Sequence, residues 1–224
     1  LPDETLTGMS RALSASPGKK ILLMLGSNAV KLSMRDTSDD SRHSAEWRQL
    51  EQRFALLRNF NGAVYAVPGA SEWLNGGRDG ALAVQLLEYY LERKLGFGDI
   101  VKPDHGCPGP EEVYLGQGTV LLLIDTQWWL HDWDKPAVDD GCDVDNTADF
   151  LVALDDAIKR NHDKKIIVAG HHAIRSSGRR GGHFPLKTHL FPLTEAEKKL
   201  YLPLPGAGTL YVLYRMLLGD DQDQ

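Results

Sequence analysis

The sequence has no hydrophobic run long enough to cross a membrane. Its apolar runs, such as those at 21–25 and 120–124, are far shorter than the roughly 20 residues that a membrane-spanning helix needs. It also lacks an excess of positive charge, because 25 lysines and arginines stand against 31 aspartates and glutamates, a formal charge of −6. We therefore expect neither a transmembrane segment nor nucleic acid as a partner. The hydrophobic share of 42% and the length of 224 residues are typical of one globular domain.

Cysteine is scarce, since the chain contains only Cys107 and Cys142. Both lie in segments rich in glycine, proline and aspartate that flank a predicted strand, where a bridge between loops would strain no regular element. A disulfide between them is the favoured interpretation, and it would place the chain in an oxidising compartment, the periplasm or the cell exterior. Two reduced structural thiols in a cytosolic protein are the alternative.

Strand and helix patterns alternate along the chain. Short continuous apolar runs predict buried strands, and apolar residues at helical spacing predict amphipathic helices. The predicted strands are 20–25, 62–67, 119–125 and 165–169, and the predicted helices are 45–58, 80–94 and 147–160. The region 96–118 is predicted to be mostly loop, with an edge strand near 112–115. This order predicts an α/β fold in which a parallel or mixed sheet carries helices on both faces and ligand sites at the carboxyl ends of its strands.

The residues that follow the predicted strands carry distinctive motifs. They are Pro-Gly at 68–69, Gly-Gly-Arg-Asp-Gly at 76–80, Asp-Thr-Gln-Trp-Trp at 125–129 and the histidine pair at 171–172. Together they resemble the calcineurin-like metallophosphoesterases related to purple acid phosphatases, over roughly residues 5 to 215. The resemblance implies a sandwich of mixed β-sheets flanked by helices. It also implies a single metallophosphoesterase-like domain over residues 1–224, shorter than the family at both ends.

The chain departs from this family at the positions that carry its chemistry. Ser27 stands where the family has the aspartate that bridges two metal ions. Ala70, Ser71 and Glu72 stand where the family has an asparagine ligand, followed by a histidine and an aspartate that help to protonate the leaving group. Arg180 replaces a histidine that faces the substrate in the family. We interpret these five as degenerate positions and expect no catalytic residue among them.

The remnant of the family's site is Asn28, His171 and His172. A two-metal centre lowers the pKa of a bridging water to form hydroxide, and it needs about six or seven protein ligands. Losing single ligands or their supports already costs about tenfold to a hundredfold in affinity or activity. We therefore expect no bound metal and no other cofactor. If the chain is active after all, the resemblance implies a divalent metal or a di-iron, zinc or manganese centre.

The sequence favours a non-catalytic domain that acts as a structural or interaction subunit of a bacterial envelope assembly. The resemblance and the cysteine pair imply this setting, in the periplasm or on the extracellular face. We expect protein partners there, and the apolar segment 202–218 is the first candidate contact surface. One alternative is an active metal-dependent phosphoesterase that holds a single metal with His171, Glu72 and Asn28. Another is a module that binds an anionic ligand through the arginines at 179–180.

Two further features have competing interpretations. Asp125 follows a buried strand and invites a catalytic role, but in the resemblance it is a scaffold residue, and we interpret it as capping a turn by hydrogen bonds. Trp128, Trp129 and Trp133 are interpreted as packing the sheet edge or a partner surface. A stacking platform for a sugar or a base is the alternative for these tryptophans.

Overall fold

The computed structural model describes residues 20–26, 45–55, 57–58 and 60–173, with the single positions 8, 11, 18 and 210. The chain divides into two compact units, Leu1–His172 and Ala173–Gln224, and nearly all of the described residues belong to the first. The sequence-predicted positions outside the described residues are Ser27, Asn28, the arginines at 179–180 and the segment 202–218 apart from Leu210. The single domain over 1–224 stays a prediction.

Five strands form two sheets in the described part of the chain. In the first sheet, β1 (Ile21–Leu25) runs parallel to β2 (Ala63–Val67). In the second, β3 (Glu111–Gly116) is antiparallel to β4 (Thr119–Leu123), and β4 runs parallel to β5 (Lys165–Ala169). The predicted α/β class is confirmed, and the second sheet is mixed, as expected. The division of the strands into two sheets was not evident from their order alone.

The register of the parallel pairs brings the ends of the strands together. Leu25 at the end of β1 lies opposite Val67 at the end of β2. Leu123 at the end of β4 lies opposite Ala169 at the end of β5. The loops that follow each parallel pair therefore leave the same edge of their sheet, which is where side chains from different strands can meet.

Four α-helices have both bounds in the described ranges 20–26, 45–55, 57–58 and 60–173: α1 (Ala45–Ala55), α2 (Gly80–Tyr89), α3 (Thr126–Leu130) and α4 (Thr147–Arg160). The predicted helix over 80–94 is α-helical only to Tyr89 and continues as one π-helical turn. The short α3 was not predicted, because its five residues are too few to show a helical period. No helix in the described ranges is both long and apolar enough to span a membrane.

The strand β4 is buried on both of its faces, because successive side chains point in opposite directions. Leu121 and Leu123 pack against Val67 of the first sheet, whereas Leu122 packs against Ala157 of α4. This two-sided burial explains why β4 appears in the sequence as a continuous apolar run rather than an alternating one.

The opposite face of the first sheet is covered by α1 and α2. Leu50 and Phe54 of α1 form one cluster with Leu87 of α2, and Leu22 of β1 and Val64 of β2 pack against that cluster. The described residues are thus layered in the order helices, first sheet, second sheet, helix. Both sheets contribute side chains to the layer between them, which contains Val67.

The predicted disulfide is confirmed. Cys107 and Cys142 are bonded, with their Cα atoms 5.5 Å apart and a sequence separation of 35. The bridge joins the segment before β3 to the segment between α3 and α4, so it ties together two loops without crossing a regular element.

Changing both cysteines to serine (Cys107→Ser with Cys142→Ser) is expected to lower the free energy of unfolding by about 2–4 kcal/mol, because the bridge restricts the unfolded chain. Urea unfolding followed by tryptophan fluorescence measures the effect. A reductant should bring the wild-type protein to the stability of the double variant and leave the variant unchanged. Equal stability of the two proteins under oxidising conditions would contradict the structural role of the bridge.

Candidate functional site

The ends of β1, β2 and β5 approach one another closely. Gly26 follows β1 with φ +72°, a value that glycine adopts without strain. A Cβ at Gly26 would collide with the His171 ring and with the backbone of Gly69, and a Cβ at Gly69 would lie 2.7 Å from the His171 ring. Both positions therefore require glycine, because the imidazole of His171 fills the space between the two strand ends.

The histidine pair connects three strand ends. His171 Nδ1 lies 2.8 Å from the carbonyl oxygen of Leu25, and since a carbonyl only accepts, this nitrogen carries the proton. His172 Nδ1 lies 2.8 Å from Thr126 Oγ1, which also accepts the His172 backbone N–H at 3.0 Å. The two rings meet edge to face with centroids 4.6 Å apart. The structure thus brings the predicted pair to the predicted edge and shows both rings bonded to scaffold atoms.

Glu72 has the only carboxylate of the three residues 70–72, and it is 4% exposed. Its Oε2 accepts the backbone N–H of Gly69 at 2.9 Å and the hydroxyl of Ser71 at 3.1 Å. The side chain therefore folds back onto its own turn and holds the backbone that follows β2. Ala70 is also buried and offers only a methyl group.

Asp125 lies at these strand ends and is 1% exposed. Its Oδ1 accepts the backbone N–H groups of Gln127 at 2.8 Å and Trp128 at 3.1 Å, which caps the N-terminus of α3. Its Oδ2 accepts Trp73 Nε1 at 2.8 Å, which ties α3 to the segment after β2. Burial raises the pKa of Asp125 to about 7, and the nearby carboxylate of Glu72 adds to this, while the three donors oppose it.

A second contact of Trp73 was not foreseen from the sequence. Its fully buried ring packs on His131, with ring centroids 4.8 Å apart. His131 is 2% exposed, and neither of its ring nitrogens has a hydrogen-bond partner among the described residues. Burial lowers the pKa of His131, and the nearby charge of Lys135 lowers it further, against a smaller opposing effect of Asp132. His131 is therefore held neutral inside the fold.

The described donors do not fit a two-metal centre. In the described ranges, no three His, Cys, Asp or Glu side chains lie close enough together to hold a metal ion. Ala70, where the resemblance predicts an asparagine ligand, has only a methyl group, and Glu72 Oε2 bonds to its own turn. Of the sequence-predicted remnant, the structure brings together His171 and His172, whereas Asn28 lies outside the described residues, as do Ser27 and Arg180.

Asparagine at position 125 (Asp125→Asn) is expected to remove a pH dependence from the free energy of unfolding. Folding raises the pKa of Asp125 from 3.8 to about 7. The contribution of this shift to stability is therefore full below pH 3.8 and is lost as the pH rises to about 7. Urea unfolding at a series of pH values should therefore show the wild-type protein losing stability relative to the variant as the pH rises from about 4 to about 7, with a constant difference above that. Parallel profiles would contradict the raised pKa. Trp73→Phe is the control. It removes the indole donor but keeps the titrating carboxyl of Asp125, so it should keep the pH dependence.

Phenylalanine at position 131 (His131→Phe) should change the acid side of the same profile. The pKa of His131 is lowered by folding, so its contribution to stability is full above the usual histidine value of about 6.5 and is lost as the pH falls. We expect the wild-type protein to lose stability relative to the variant below that pH. His162→Phe, at an exposed histidine after α4, is the matched control and should leave the acid-side loss in place. If His131→Phe loses stability in acid as steeply as the wild-type protein, the interpretation is wrong.

Comparison with known proteins yields no relative that would define the site. No protein-family model, no curated protein and no solved structure matches this chain. The resemblance to metallophosphoesterases therefore rests on the motifs at the strand ends, and it stays a prediction.

Proposed function

We propose that this chain is a degenerate metallophosphoesterase-type sandwich that acts as a structural or interaction subunit of a bacterial envelope assembly. The layering of helices and two sheets, together with the motifs at the strand ends, supports the family. The bond between Cys107 and Cys142 supports an oxidising compartment, and hence the periplasm or the extracellular face.

One observation carries the non-catalytic role: the polar side chains at the strand ends bond to the scaffold. Asp125 accepts three N–H groups from two different segments. Glu72 accepts two donors from its own turn, and Thr126 joins α3 to His172. Both of these carboxylates therefore bond to the protein, and neither takes the place of the bridging aspartate that the resemblance expects at Ser27.

The residues at 70 and 71 give a chemical reason for the proposed lack of catalysis. A hydroxide nucleophile forms when two cations share a water, and the ligands that hold the cations must be oxygen or nitrogen donors. Ala70 provides no donor, and Ser71 cannot replace an imidazole as the acid that protonates a leaving group, because a serine hydroxyl does not ionise near neutral pH. Under the proposal, the chain keeps the architecture of a phosphoesterase without its chemistry.

Elemental analysis combined with an aryl-phosphate assay tests the proposal. The full chain is supplied in turn with manganese, iron and zinc, desalted, and measured for bound metal and for phosphate release from pH 5 to 8. We expect substoichiometric metal and no release above the buffer rate, because the described donors are too few to hold two ions.

His171→Ala is the matched variant, since it removes the one imidazole at the predicted ligand position. It should change neither the metal content nor the rate, although it loses the bond to Leu25 and should lower the free energy of unfolding by about 1–2 kcal/mol. Stoichiometric metal with turnover that disappears in His171→Ala would contradict the proposal and favour the active phosphoesterase.

A further inference from the structure

Three large apolar side chains are exposed on the short segment that ends α3. Trp129, Leu130 and Trp133 are 41, 57 and 46% exposed, respectively. Side chains of this size are usually covered, and clusters of them on a surface mark contact sites. We refer to these three residues as the aromatic surface.

Buried contacts and hydrogen bonds fix the backbone of the aromatic surface. His131, in the middle of the segment, points inward and packs on Trp73. Lys135 Nζ donates to the carbonyl oxygens of Trp128 and His131, each at 3.0 Å, and Trp128 Nε1 donates to the carbonyl oxygen of Pro136 at 2.9 Å. The backbone that displays the exposed side chains is thus fixed before any partner binds, which lowers the entropic cost of binding.

The two exposed indoles are also supported from the side. The guanidinium carbon of Arg78 lies 4.7 Å from the ring centroid of Trp133. Trp129 meets Phe150 of α4 edge to face, with centroids 5.4 Å apart. Tryptophan and arginine are the residue types that dominate binding energy in protein interfaces, particularly where they are rigidly held.

Exposed carboxylates adjoin the aromatic surface in sequence, with Asp132 and Asp134 on either side of Trp133 and Asp79 next to Arg78. Asp79, Asp132 and Asp134 are all exposed. Two described cations lie beside them: Arg78, whose charged guanidinium stacks on Trp133, and Lys135, which donates to backbone carbonyls. The three carboxylates outnumber these two cations, so the complement of this surface is a partner that carries lysine or arginine.

We propose that the aromatic surface docks a protein segment in which apolar side chains alternate with lysine or arginine. The apolar side chains cover Trp129, Leu130 and Trp133, and the basic ones pair with Asp132 and Asp134. This inference rests on the interaction role proposed above and names the chemistry of the partner.

The test uses two synthetic peptides of equal length and leucine content, in which the leucines alternate with lysine in one and with glutamate in the other. Binding to the full chain is measured by calorimetry and by the change in tryptophan fluorescence. We expect the lysine peptide to bind in a salt-sensitive manner and the glutamate peptide not to bind. Trp133→Ala should weaken binding by about tenfold or more, and Leu130→Ser, which removes only an exposed side chain, should also weaken it.

A charge-matched pair of variants separates a specific surface from general attraction to an acidic protein. Asp132→Asn with Asp134→Asn should weaken binding of the lysine peptide several-fold, whereas Asp155→Asn with Asp156→Asn, which removes the same charge from α4, should leave it unchanged. Equal effects of the two pairs, equal binding of both peptides, or no binding at all would overturn the proposal. Self-association through Trp133 that the lysine peptide does not displace would overturn it in favour of a second copy of the chain.

The two proposals fail separately. Turnover with bound metal would contradict the non-catalytic role without altering the peptide titration. Absence of peptide binding would contradict the docking proposal and would not change the metal content or the phosphatase result.

Discussion

The fold depends most on the buried carboxylate of Asp125. It caps α3 through two backbone N–H groups and holds the indole of Trp73, which is 52 residues distant in sequence. Trp73 in turn packs on His131, so one carboxylate fixes the segment after β2, the start of α3 and the turn after it. An unmet donor in this interior would cost about 1–3 kcal/mol, which makes the network costly to break at any point.

Other protein contacts hold the neighbouring strand ends, and under the proposal they explain how a site could lose its ligands and keep its shape. The close approach of Gly26 and Gly69 is filled by the ring of His171, and the turn at 69–72 is held by Glu72. Neither arrangement requires a cation, because each is completed by protein donors and acceptors. Selection on such a domain would act on packing and surface contacts, and the aromatic surface after α3 offers a partner three large exposed apolar side chains.

Much of the fold could be predicted from the sequence, because its parallel strands appear as continuous apolar runs, most clearly β4, which is buried on both faces. The disulfide could be predicted as well, since Cys107 and Cys142 both lie in loops. The resemblance implied more than one sheet, but the order of the strands alone did not, because the division depends on which strands pair over long distances. The hydrogen bond from Trp73 to Asp125 could not be predicted for the same reason, because the two residues lie far apart in the chain. The inward orientation of His131 could not be predicted either, because aromatic residues lie on both sides of it in the segment 128–133. The π-helical turn at Tyr90–Lys94 has a helical composition and gives no separate signal.

Anomalous diffraction from crystals grown with manganese or zinc tests the central claim most directly, because it locates cations independently of any assay. If protein donors complete the strand ends, the maps will show no paired ordered peaks beside His171, and Glu72 and Asp125 will keep their bonds to the turn and to α3. Two peaks about 3.5–4 Å apart at that position, with either carboxylate turned toward them, would contradict the account.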